Sequence, residues 1–124
     1  MKDENVNILM GKTLREIIGA EKGSDEIVFV LDNGDRYKMY HSQDCCESVD
    51  VDDVDGDIAD LIGSPLVVAE EVSSEGVPQK GDWEESFTWT FYKFATVKGF
   101  VTIKWYGTSN GYYSESVDFE KIGG

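Results

Sequence analysis

The sequence predicts an α+β fold dominated by β: about seven strands in an antiparallel, meander-like twisted sheet, with one short helix. Three observations carry that reading. Apolar residues come in short blocks with period-two alternation, as in Phe87-Thr88-Trp89-Thr90-Phe91. Turn signals such as Asn33-Gly34, Lys98-Gly99 and Gly107 to Gly111 separate the blocks. One segment alone, Asp57 to Gly63, carries helix chemistry, with an acid at its start, a glycine at its end and Pro65 beyond. The 124 residues suit one domain spanning residues 1–124, and 40% hydrophobic with 12% aromatic content is enough for a packed core.

Taken in order, residues 1–7 read as a frayed terminus. Leu9 to Lys22 is ambiguous: Leu14, Ile17 and Ile18 fit a helical face, while Thr13 to Ala20 also fits a twisted strand; strand is favoured because Gly11 and Gly19 suit a short helix poorly. Lys22 to Asp25 is a turn, and Glu26 to Leu31 is a strong β run. Asp32-Asn33-Gly34-Asp35 closes a hairpin onto Arg36 to Ser42, which places Tyr37, Met39 and His41 on one face. Asp44 to Asp57 reads as an acidic loop, followed by the helix and a strand within Ser64 to Val72. Residues 73–85, with Gly76, Pro78 and Gly81, read as a surface loop. The final third is β: in Phe87 to Phe91 one face is buried and the other half-exposed, Phe100 to Tyr106 presents Val101, Ile103 and Trp105 together, and Tyr112 to Phe119 ends the fold.

Charge limits the partners. Lys and Arg number 11 against 25 Asp and Glu, for a net charge of −14. Such a chain repels nucleic-acid phosphates and anionic membranes and is attracted to basic surfaces. No apolar run is long enough to span a bilayer, and Met1 to Asn5 has no apolar secretory segment, so the expected compartment is a cytosol with reduced thiols.

The residues richest in chemistry are clustered. His41, the only histidine, precedes Cys45 and Cys46, the only cysteines, and a carboxylate run follows: Asp50, Asp52, Asp53, Asp55, Asp57 and Asp60. Several readings of the cluster stand side by side. His41, Cys45 and Cys46 supply at most three zinc ligands, the fourth being water or a carboxylate, with Asp44 and Glu47 nearby and Glu70 and Glu71 on the next strand. A buried reduced cysteine pair beside a hydrogen-bonded histidine fits equally. A Cys–His nucleophile fits the proximity but has no surrounding signature. Calcium fits poorly: with Gly56 aligned to the invariant glycine of an EF-hand loop, the first and twelfth ligand positions fall on Val51 and Ile62, which lack side-chain oxygens. Trp83, Tyr92, Tyr106, Tyr112 and Tyr113 read either as a second sheet face or as anchors for a basic partner.

Three stretches carry a resemblance: Tyr40-His41-Ser42-Gln43-Asp44-Cys45-Cys46-Glu47-Ser48-Val49, Asp60 to Pro65, and Tyr106 to Val117. Across roughly residues 8–120 the chain resembles a small domain family common in phages and prophages, tied to no reaction. It also resembles type II-A anti-CRISPR proteins, some of which contain zinc. The resemblance implies a phage-encoded, non-enzymatic inhibitor of a type II CRISPR effector nuclease in the bacterial cytosol, with His41, Cys45 and Cys46 as zinc ligands. The resemblance carries no fourth ligand; of the local carboxylates Asp44 and Glu47, Glu47 is the one expected there. Asp50, Asp52, Asp53, Asp55 and Asp57 are then the expected partner-binding residues, through an acidic surface that blocks target loading. A small metal- or thiol-dependent phage enzyme and a phage structural accessory domain are the alternatives.

Overall fold

The computed structural model describes residues 5–41, 47–74, 86–109 and 116–123. Eight strands run in chain order as β1 (Leu14–Ile18), β2 (Glu26–Leu31), β3 (Arg36–Tyr40), β4 (Ser48–Asp55), β5 (Val68–Ser74), β6 (Ser86–Thr96), β7 (Gly99–Ser109) and β8 (Asp118–Gly123). The fold is mostly β, as the periodicity predicts. The strands form two four-stranded sheets rather than one: β1-β2-β3-β8 and β4-β7-β6-β5. Every pairing between strands is antiparallel.

Two sheets solve a problem that one sheet leaves open. Alternating strands have one apolar face each, and stacking two such faces buries both. Phe29 of β2 meets Phe94 of β6 at 5.6 Å between ring centroids. The indole Nε1–H of Trp105 on β7 donates to Met39 Sδ on β3 at 3.2 Å. Phe119 on β8 stacks on Tyr37 of β3, with centroids 5.3 Å apart. One continuous core results, closed by Val6, Leu9, Leu61 and Leu66.

The β2–β3 hairpin forms where Asn33-Gly34 predicts it, with Gly34 at φ +95° and Asn33 Oδ1 accepting from the Asp35 amide at 2.9 Å. Three other expectations need correction. The N-terminal residues are not all frayed: Val6–Leu9 is a 3-10 turn capped by Asn5, and Val6 and Leu9 sit i, i+3 to bury together. The expected helix is a single 3-10 turn, Ile58–Leu61; Asp57 caps it by accepting from the Ala59 amide at 3.0 Å, and Gly63 at φ +86° lets the chain leave. The acidic segment is not a loop but contains β4, because Val49, Val51 and Val54 point inward between its aspartates. In β6 one face is buried and the other half-exposed, as the alternation predicts: Thr90 is buried with Tyr92, Phe94 and Thr96, while Phe87, Trp89 and Phe91 are half-buried on the outer face. The cross-strand partners of β7 fix that register, since Tyr92 pairs with the buried Ile103 and Phe94 with the buried Val101. Among the described residues no helix is long and apolar enough to cross a membrane.

Candidate functional site

Two places answer to the residues that the sequence singles out. The first is the junction where the chain leaves one sheet for the other. His41 follows β3 directly and keeps the inward parity of Tyr37 and Met39, so its side chain is only 3% exposed. Glu47 stands immediately before β4, and its side chain is fully buried. The imidazole Nε2 lies 2.7 Å from Glu47 Oε2, and Nδ1 lies 2.7 Å from the carbonyl oxygen of Ser116, two residues before β8. A carbonyl oxygen only accepts, so Nδ1 carries a proton and donates it there. A second proton then lies between Nε2 and the carboxylate, because two bare acceptors at 2.7 Å would repel.

This junction ties together three strand ends from both sheets. As arranged, both nitrogens of His41 are engaged. Cys45 and Cys46 lie outside the described residues, as do Asp44 and the aromatics Trp83, Tyr112 and Tyr113. Glu70 and Glu71 are on β5, the edge strand of the second sheet. Among the described residues no group of three or more His, Cys, Asp or Glu side chains is placed to hold a metal ion.

The second place is the outer face of the second sheet, and antiparallel register lays it out in rungs. Asp50 on β4 is level with Tyr106 on β7 and Trp89 on β6. Asp53 is level with Lys104, Phe91 and, on β5, Val72. Asp55 is level with Thr102, Lys93 and Glu70. Asp52 is the extra residue of a register shift between Val51 and Asp53, so two aspartates crowd where one would stand. Asp57 is set apart as the cap of the 3-10 turn.

The β6 aromatics make a continuous wall. Trp89 packs on Tyr106 with centroids 4.5 Å apart and lies parallel to Phe91 at 5.9 Å. Tyr106 is thereby 7% exposed and Tyr92, on the opposite face of β6, is fully buried, so neither is the exposed anchor that composition allows. Trp89 and Phe91 take that position instead. Asp52, Asp53, Trp89, Phe91 and Lys104 line a groove of about 240 Å³. Lys104 Nζ is drawn 2.6 Å from Asp55 Oδ2, and that hydrogen bond, opposed by burial and aided by the charges of Asp55, Asp53 and Asp52, holds its ammonium above the usual lysine range. Three carboxylates (Asp52, Asp53, Asp55) thus act on one ammonium, a local charge of −2.

No curated protein and no solved structure matches the chain. The profile of a family described as a domain of unknown function, DUF7448, matches residues 7–119, which takes in all but the last strand's end and the first residues. The chain, with its two stacked sheets, its buried His41–Glu47 junction and its acidic, aromatic outer face, belongs to the DUF7448 family.

Proposed function

We propose that this domain is a binding inhibitor rather than an enzyme, and that it docks through the outer face of its second sheet on a basic protein surface. One observation carries the reading: the register places Asp50, Asp53 and Asp55, with Asp52 beside them, on the same face as Trp89 and Phe91. Half-exposed aromatics bordered by carboxylates suit an interface whose partner is cationic, the aromatics giving contact area and the charges giving steering and register. The resemblance to type II-A anti-CRISPR proteins supplies the partner, a type II CRISPR effector nuclease in the bacterial cytosol. Such an effector holds its guide–target duplex in a positively charged channel. An acidic face seated there competes with the phosphates of incoming DNA.

A structural zinc ion at the sheet junction belongs to the same proposal. Ser116 fixes Nδ1 of His41, as the outer partners of zinc-bound histidines do, and leaves Nε2 facing Glu47. Ligands of a tetrahedral zinc stand about 3.3 Å apart, so a small side-chain shift lets an ion replace the shared proton of the 2.7 Å pair. Cys45 and Cys46, just before Glu47 in sequence, complete the donor set. The ion would hold the crossover between sheets and take no part in a reaction.

DNA cleavage by a type II effector, measured against added domain, tests the binding reading. Inhibition should weaken as salt is raised, and Asp52→Lys with Asp53→Lys should cost at least about tenfold in potency. Equal inhibition by the doubly reversed variant at all salt concentrations would remove the acidic face from the mechanism.

A further inference from the structure

Building on that docking face, we infer that the groove between β4 and β6 is a receptor slot for a single arginine side chain of a protein partner. β4 and β6 are two strands apart, which is about 10 Å, with β7 between them. One wall is carboxylate, Asp52 and Asp53; the other is aromatic, Trp89 and Phe91; the floor is the stem of Lys104. At about 240 Å³ the groove holds one side-chain head and is smaller than the usual small-molecule site of about 300 Å³ or more.

The walls select the occupant. A phosphate or carboxylate ligand meets the local charge of −2 and is repelled. A neutral apolar side chain satisfies the rings and leaves the carboxylates facing it. A cation satisfies both, by cation–π attraction to the indole and by charge pairing across the slot. Guanidinium does this better than ammonium: it is flat, so it layers against a ring while its N–H edge reaches a carboxylate through paired hydrogen bonds. Lys104 does not occupy the slot with its own charge, because its ammonium is turned to Asp55 at 2.6 Å. Asp53 is oriented by its backbone, Oδ1 accepting from the Val54 amide at 2.9 Å. The chain offers little of this residue to itself, since Arg15 and Arg36 are its only arginines.

The test uses the intact domain and three flexible Gly/Ser peptides identical but for one central residue: arginine, lysine or citrulline, the neutral isostere of arginine. Each is titrated to millimolar concentration while the indole N–H resonance of Trp89 is followed by NMR. The slot predicts that the arginine peptide shifts that resonance and binds about tenfold more tightly than the citrulline peptide. It predicts weaker binding of lysine, and loss of the arginine preference in Asp53→Asn, a near-isosteric change on the surface. Equal binding of arginine and citrulline peptides, no shift of Trp89, or an undiminished preference in Asp53→Asn would each overturn it. Concentration-dependent self-association that Arg15→Gln abolishes would assign the slot to a second copy and overturn the partner claim. The experiment contains no nuclease. An arginine-selective slot on a domain that fails to bind the effector sinks the nuclease reading alone, and effector binding without arginine selectivity sinks the slot alone.

Discussion

Replacing Glu47 in metal-free protein is the sharpest probe of the junction between the sheets. The carboxylate is fully buried and lies 2.7 Å from His41 Nε2. Glu47→Ala removes the carboxylate and leaves the imidazole facing an apolar void, with its other nitrogen still bound to Ser116. Breaking a buried charged pair by deleting one member costs about 3–5 kcal/mol. Glu47→Gln keeps the shape, and its amide can donate to Nε2 of the imidazole that is protonated on Nδ1. The charge-assisted bond becomes a neutral one, at a cost of about 1 kcal/mol. Urea unfolding in the presence of a chelator reads both. With a slope of about 2 kcal/mol per molar urea, the alanine variant should lose about 2 M from its midpoint and the glutamine variant about 0.5 M. Adding His41→Ala to Glu47→Ala should cost less than the sum of the two single changes, because the partner is already gone. Equal losses for the two Glu47 variants, or strictly additive single changes, would refute the shared-proton junction.

Three further outcomes test the zinc proposal and the packing. Purified protein should carry equimolar zinc that His41→Ala abolishes, and chelation should lower its melting temperature because the ion binds only the folded chain; full zinc retention in the variant would move the site elsewhere. Gly56→Ala should destabilise by about 3 kcal/mol, since Gly56 has φ +104° and a Cβ there would run into the Phe100 carbonyl oxygen and Val101; a normal urea midpoint would contradict that crowding. Burial, then the Glu71 carboxylate, raise the Tyr92 phenol far above its ordinary pKa of 10.0. Above pH 10 the unfolded chain therefore binds fewer protons than the folded one, and stability falls by about 1.4 kcal/mol per pH unit from this group while staying flat below. Tyr92→Phe should remove that part of the alkaline slope, and an unchanged slope would show that the phenol does not stay protonated.

Several elements were readable from sequence because local chemistry alone fixes them. The β2–β3 hairpin needs only its alternation and Asn33-Gly34. His41 follows the parity of Tyr37 and Met39 into the interior. β4 was hidden by its charge: Ser48-Val49-Asp50-Val51-Asp52-Asp53-Val54-Asp55 is a period-two pattern with one slip, and the slip is the register shift after Val51. The orientation of β6 was not fixed locally, since Phe87, Trp89 and Phe91 on one parity compete with Tyr92 and Phe94 on the other. Only the long-range pairing with Val101 and Ile103 of β7 decides between them. The same non-local pairing brings the acidic strand level with Trp89 and Phe91, so the candidate face exists in the fold and not in any one stretch of chain. The contact between His41 and Ser116 likewise joins residues 75 positions apart.

Hydroxyl-radical footprinting of the domain, free and bound to a type II effector, tests the docking face most directly. The account predicts that oxidation of Trp89, Phe91 and Val72 falls in the complex while Tyr40 and Ile18, on the first sheet, react as before. Protection of the first sheet with Trp89 and Phe91 still reactive, or no protection anywhere, would contradict it.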